Sequence, residues 1–304
     1  MSLSEAKLIS WTKPSSDHEE SMCDRSARMI ESALWNYAPL EQREYIVISQ
    51  GSYHNNTNVR LSSDVDVCIA FTDVIQSSYH YTPDWNSQRM GFTRSDRLFS
   101  DDRELIRKAL IQTFGANGIR SGGKAFEILA NQGTRVNADA VPAWRFAGWS
   151  PSASGDRPSR REGVTFWTTE GKQVINFPEQ HYTNGKNKNN RTGRAFKRAT
   201  RILKRIRYDM LDNDDPIADG LASFTIESAI YNVPDDTFDR NSWTQVMRDV
   251  LYYMDVALYN GSASKEWVEV SGMKWMFKDN YGIPSNWSVA NLRKFTQAAR
   301  ELIG

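Results

Sequence analysis

Asp64 and Asp66 stand two residues apart at the head of an apolar run, and Gly51-Ser52 precedes them across a short polar connection. Residues of these types at this spacing suit metal-dependent transfer of a nucleotide. Alternate residues of a strand project the same way, about 6.5–7 Å apart. Both carboxylates therefore leave one face of segment 64–71, with Cys68 and Ala70, while Val65, Val67, Ile69 and Phe71 leave the other. Paired carboxylates repel each other, and a divalent cation removes the repulsion. Magnesium suits such a pair, because it takes one or two carboxylates and completes its shell with water and phosphate. Two-metal chemistry calls for a third acid from a neighbouring strand. Asp139, in Val136-Asn137-Ala138-Asp139-Ala140-Val141, is the candidate, and Pro142 is expected to end its strand. A D-x-D strand face alone is more often simply solvated. The twelve residues from Ser52 to Asp64 tip the balance towards function.

Gly51 lets backbone approach a phosphate closely, and Ser52 offers an N–H and a hydroxyl. Gln50 precedes them, and Asn55, Asn56, Thr57 and Asn58 follow as further polar donors. A second source of positive charge lies far along the chain. From Lys186 to Arg207 there are ten Lys or Arg residues and no acid. Within it Arg194, Lys197, Arg198, Arg201, Lys204 and Arg205 recur three or four apart, beside an apolar stripe of Phe196, Ala199, Leu203, Ile206 and Met210. Lys197, Arg201 and Lys204 are the candidates for the β and γ phosphates. A solvated helix face and a nucleic-acid surface are the competing readings of the same stripe.

The elements needed to position these residues are visible in the spacing. Helices are expected over 17–37, 96–114, 194–211 and 243–258, and from a Ser288 cap to 303. Strands are expected at 45–49, 64–71, 125–129 and 135–141, with a hairpin over 164–176 turning at Glu170-Gly171. Segment 72–94 reads as an inserted loop and 151–163 as an exposed one. A mixed α/β (α+β) first part, 1–185 with its N-terminal helix, thus precedes a helical second part, 186–304. With 39% hydrophobic and 12% aromatic residues the chain can bury a large core, so disorder is excluded. No apolar run reaches the ~18 residues of a membrane span, and no secretory signal opens the chain. Two cysteines cannot build a disulfide framework or a thiolate zinc site. A cytoplasmic location is expected. The net charge of +1 with one locally basic stretch points to a bounded anionic ligand rather than a long polyanion.

These motifs, in this order, resemble the cGAS/DncV-like nucleotidyltransferases. The resemblance runs through QGSYHNNTNVRLSSDVDVCIAF from Gln50, NADAVPA around Asp139, INFPEQHYTNG from Ile175, FKRATRILK from Phe196 and SFTIESAIYNVPDDTF from Ser223. The last three segments are most similar to the branch called clade E. The resemblance implies a polymerase-β-like core, with a helical domain of the oligoadenylate synthase type closing the active-site cleft. It implies joining of two nucleoside triphosphates into a cyclic dinucleotide, with release of pyrophosphate, in antiviral (CBASS) signalling through a separate effector. Gly51 and Ser52 match its phosphate-holding positions, Asp64, Asp66 and Asp139 its metal triad for two Mg²⁺ (or Mn²⁺), and Lys197 and Ser223 its donor-triphosphate positions. Tyr182 and Phe224 are candidates for a base-stacking surface, or equally for core. Asn176 resembles a base-reading position, where a carboxamide suits a pyrimidine edge; ATP and UTP are the expected substrates, and a strand-end cap is the bland alternative. No zinc-ribbon insertion for sensing double-stranded DNA is visible. Two readings compete: a linear oligonucleotide or RNA nucleotidyltransferase with the same triad, and a non-catalytic nucleotide or RNA sensor.

Overall fold

The computed structural model describes residues 2–14, 16–59, 64–155 and 157–304. Positions 60–63, inside the Gln50 motif, lie outside the described residues. In chain order the elements are α1 (Glu5–Trp11), α2 (Asp17–Trp35), β1 (Tyr45–Gln50), the single turn α3 (Gly51–His54), β2 (Val65–Ser78), α4 (Phe99–Phe114), β3 (Ile119–Ser121), β4 (Phe126–Ile128), β5 (Ala138–Ser150), β6 (Ser159–Trp167) and β7 (Gln173–Asn176). Helices α5 (Pro178–Arg191), α6 (Ala195–Asp212), α7 (Ser223–Tyr231), α8 (Trp243–Asn260), α9 (Ser262–Glu266) and α10 (Val289–Ile303) follow. Local chemistry marks the helix starts. Ser16 and Glu19 form a reciprocal capping box on α2, and Ser288 accepts from the Asn291 amide at the start of α10.

The contacts divide the chain into two compact units that are interleaved in sequence. One comprises Ser16–His54 and Arg60–Pro178; the other comprises Met1–Ser15, Asn55–Val59 and Glu179–Gly304. The sequence expectation is two consecutive domains, 1–185 and 186–304; in this division α1 and Asn55–Val59 pack with the later helices.

The first unit is built on a mixed sheet ordered β1-β2-β5-β4-β3, with β6 beside β5 and β7 beside β6. The β2–β5 pair is parallel and the others are antiparallel. Period-two alternation decides what each face meets. Val65, Val67, Ile69 and Phe71 bury with Ala138, Ala140 and Trp144 against Ile30 and Leu34 of α2 and Ile106 and Leu110 of α4. The opposite face carries the smaller cluster of Cys68, Ala70, Val141, Ala143, Val164 and Phe166. Arg43 pins the layers together: it bonds Asp73 of β2 and Asp102 of α4, and Asp102 also accepts from Trp144 Nε1 of β5 at 2.7 Å.

Three expectations are corrected here. β2 runs on to Ser78 through the supposed insertion, with a register shift between Phe71 and Ile75. β6 begins at Ser159, so part of the supposed 151–163 loop is strand. β5 passes straight through Pro142 to Ser150. The reason is positional. Pairing with β4 ends at Ala140 and pairing with β6 starts at Trp144, so Pro142 falls in a gap on that edge, where a missing N–H is tolerated.

The second unit has its own core. Leu8 and Trp11 of α1 bury among Phe196, Leu203 and Ile206 of α6, Ile226 and Ile230 of α7, Met247 and Leu251 of α8, and Leu292 and Phe295 of α10.

Candidate active site

The sheet register gathers the acids. Gln50 of β1 lies opposite Asp66 of β2, Asp66 lies beside Asp139 of β5, and Asp139 lies opposite Glu127 of β4. Residues paired across a sheet share a face, with strands about 4.8 Å apart. One row of four strands therefore presents three carboxylates, at the end of the face that holds the Cys68 cluster. Asp64 sits one step before β2, and Val65 N–H bonds the Asn137 carbonyl, which carries the β2–β5 pairing up to Asp64.

Asp64 and Asp139 sit in a crowded, partly desolvated setting. Asp64 keeps an exposed edge, yet desolvation by surrounding protein raises its pKa; Glu127 raises it further, against a lowering hydrogen bond from Asn137. Burial raises Asp139 as well, followed by the charges of Asp64 and Glu127. Hard oxygen donors that are partly desolvated and crowd one another are a donor set that a divalent cation fits. Asp66 is turned differently. Its carboxylate lies against Gly51, where a Cβ would fall 1.8 Å from Asp66 Oδ2. Gly51 also has φ +75°, the left-handed region that favours glycine. Among the described residues no three His, Cys, Asp or Glu side chains are gathered as metal ligands.

Gly51-Ser52, read from sequence as a loop, is the start of the helical turn α3, which leaves β1 directly. The polar run behind it falls in the other compact unit. Asn55, Thr57 and Asn58 are buried and belong with the helical unit.

On α6 the basic residues separate by depth. Lys197 is half-buried, with Nζ 5.9 Å from the Tyr182 ring centroid. Burial lowers its pKa, opposed by the charge of Glu227. Arg201 and Lys204 are not on an exposed flank, and that expectation is corrected. Arg201 is buried, donating from Nε to the Thr12 carbonyl (2.7 Å) and from Nη1 to the Asn56 carbonyl (2.6 Å). Lys204 is buried too, donating to Thr57 Oγ1 (2.9 Å) and Glu227 Oε2 (2.7 Å). Both lie within the helical unit because α1 and Asn55–Val59 cover this side of α6.

Ser223 opens α7, and Phe224 follows it, stacked on Trp287 at 5.8 Å and tilted against His181 at 5.5 Å. Phe224 is therefore bracketed by rings on the helical unit. Asn176 ends β7 in register with Val164. It is half-buried, and its carboxamide has no hydrogen-bond partner among the described residues. Gly163 lets β7 approach: a Cβ there would fall 2.5 Å from the Asn176 carbonyl oxygen. Sequence reasoning missed Glu127 and Glu227. Glu127 is a lone acid between apolar residues, in Phe126-Glu127-Ile128, and Glu227 is the single acid of Ser223–Tyr231; that isolation was the available signal.

Residues 183–304 match the family described as the cGAS/DncV-like nucleotidyltransferase C-terminal helical domain. The chain is also 32% identical to the cyclic dipyrimidine nucleotide synthase CdnE of Cecembia lonarensis, over 90% of this chain and 94% of that protein. It belongs to the cGAS/DncV-like nucleotidyltransferases. A cyclic dipurine nucleotide synthase of Elizabethkingia meningoseptica is 33% identical, with 92% of each chain covered. The structure of Rhodothermus marinus CdnE c-UMP-AMP synthase with Apcpp and Upnpp superposes with a TM-score of 0.84 at 27% identity, covering 99% of this chain and 96% of that one. The nucleotidyltransferase fold and class are thereby established, with the sheet unit and the helical domain both present. No helix among the described residues is long and apolar enough to cross a membrane.

Proposed function

We propose that this nucleotidyltransferase joins two nucleoside triphosphates, ATP and UTP, into a cyclic dinucleotide containing at least one pyrimidine. The observation that carries the reading is the register row Gln50–Asp66–Asp139, with Asp64 at its mouth and Gly51 against Asp66. In each of two rounds a ribose hydroxyl gives its proton to solvent as its oxygen bonds to an α-phosphorus, the bond to the β-phosphate bridge breaks, and pyrophosphate leaves with the electron pair. Gly51 and Ser52 hold phosphate by backbone and hydroxyl. Lys197 and Ser223 bind the donor triphosphate. Arg201 and Lys204 are left out of that role, because both are buried and Arg201 Nε and Nη1 and Lys204 Nζ already bond within the helical unit. Asp64, Asp66 and Asp139 would hold two Mg²⁺ ions, for which Mn²⁺ can substitute; bound there, they neutralise the triphosphate and make the attacking hydroxyl more acidic.

Base choice is assigned to Asn176, whose unpartnered carboxamide offers both a donor and an acceptor to a pyrimidine edge. Tyr182 supplies a flat surface for a base, whereas Phe224, bracketed by Trp287 and His181, takes the core role that was its alternative. The product would act in the cytoplasm as an antiphage second messenger for a separate effector.

The deciding experiment incubates the protein with the four labelled triphosphates and Mg²⁺ or Mn²⁺, followed by phosphatase. A resistant, uracil-containing cyclic dinucleotide is expected. A ladder of linear products would replace this reading with the linear transferase. No turnover, in parent and in the Asp64→Ala plus Asp66→Ala variant alike, would leave a sensor. Asn176→Ser is expected to move product towards purines, and unchanged composition would remove Asn176 from specificity.

A further inference from the structure

Within the helical unit the Glu227 carboxylate is buried. Glu227 of α7 accepts from Lys204 Nζ at 2.7 Å and from Thr57 Oγ1 at 2.8 Å on Oε2, and lies 3.2 Å from His181 Nε2 through Oε1. Lys204 also donates to Thr57, which closes a triangle of three buried side chains. Burial alone would push the Glu227 carboxyl up, but Lys204 and His181 hold it well below the usual carboxylate range. A buried ion pair is a poor route to stability alone, since apolar groups of the same volume often do as well. Its particular property is direction, and here the direction is informative.

Thr57 belongs to Asn55–Val59, a five-residue piece that follows immediately on the turn Gly51–His54. Arg201 grips the same piece at the Asn56 carbonyl, where Asn56 has φ +53°, a left-handed backbone that asparagine accepts. The gripping residues also share helix faces with the two donor-triphosphate positions. Arg201 and Lys204 lie four and seven residues beyond Lys197 on α6, and Glu227 lies four beyond Ser223 on α7.

We propose that Glu227 is a positioning residue: with Lys204 it fixes Thr57, and thereby the segment on which the phosphate-holding turn Gly51–His54 ends. This rests on the cyclic dinucleotide synthase reading above. The variants are Thr57→Val, which keeps shape and loses the hydroxyl, Thr57→Ser, which restores it, and Glu227→Gln. Amide hydrogen exchange of the peptide spanning Gly51–His54 is measured together with kcat and KM for ATP and UTP, normalised to folded protein. Thr57→Val and Glu227→Gln are expected to exchange severalfold faster at 51–54 and to lose about tenfold in kcat, with KM little changed, as misplacement of reacting groups would do; Thr57→Ser should match the parent. The proposal is overturned by unchanged exchange at 51–54, or by a lower melting temperature with parental kcat per folded molecule. If the folded parent makes no cyclic product, the functional reading fails separately, and exchange at 51–54 alone decides the positioning role.

Discussion

Gly51 has room for a hydrogen atom and nothing larger, since a Cβ would overlap the Asp66 carboxylate and the backbone is left-handed there. Gly51→Ala is expected to displace Asp66 and to lower product formation by about 100-fold, the scale of a 1 Å misplacement, in a product assay on folded protein. Asp64 and Asp139 make the complementary case. Their raised values mean that the folded protein holds these protons more tightly than the unfolded chain does. The stability they contribute is full below the ordinary carboxylate value and is lost as pH rises through the raised one. Asp139→Asn should therefore melt higher than the parent at pH 7 without metal, with the gain shrinking in acid, while abolishing product. Mg²⁺ should raise the melting temperature of the parent and not of the variant. The turn at Gly51 and the placing of Asp66 beside Asp139 on neighbouring strands were legible, because the chemistry expected of Gly51-Ser52 and Asp64-Val65-Asp66 calls for that spacing. Glu127 was not, because its place beside Asp139 depends on a register that only the folded β4–β5 pair reveals.

Periodicity serves elements well and neighbours poorly. Helices α4, α6, α8 and α10 begin and end within a few residues of where their apolar spacing places them. That spacing also put Arg201 and Lys204 on a flank, but it could not show that α1 and Asn55–Val59 would cover that flank. Pro142 misled for a related reason: its tolerance comes from a gap between β4 and β6, not from anything local. Two predictions belong to this scale. Lys204→Met leaves Glu227 buried without its cation, a loss expected to cost about 3–5 kcal/mol, measured by denaturant unfolding at pH 7. In the parent, the lowered Glu227 value means that the pair's contribution is present above the ordinary glutamate value of 4.5 and is lost only as pH falls through the folded value. In the variant burial dominates and Glu227 takes up a proton more readily, so the deficit should narrow from pH 7 to pH 5. Gly163→Ala would press on the Asn176 carbonyl and Phe177, moving the end of β7. Its product should change in base composition while Mg²⁺ still raises the melting temperature, because the triad lies on other strands.

At the scale of the whole molecule, each compact unit buries hydrophobic residues of its own, yet neither unit is encoded by one continuous stretch. The helical unit draws Leu8 and Trp11 from the beginning of the chain and Thr57 from the connection between β1 and β2. An isolated 179–304 fragment would lack these residues, and with them the Thr12 and Asn56 carbonyls that accept from Arg201. It is expected to show no cooperative thermal transition by near-UV circular dichroism, whereas the full chain does; a sharp transition in the fragment would refute this. Sequence composition could divide the chain into a mixed part and a helical part, but interleaving leaves no trace in composition. It has a consequence for inheritance. A single genetic crossover near residue 178 would bring Lys204 and Glu227 from one parent and Thr57 from the other, so hybrids between relatives should survive only where Met1–Ser15, Asn55–Val59 and Glu179–Gly304 descend together.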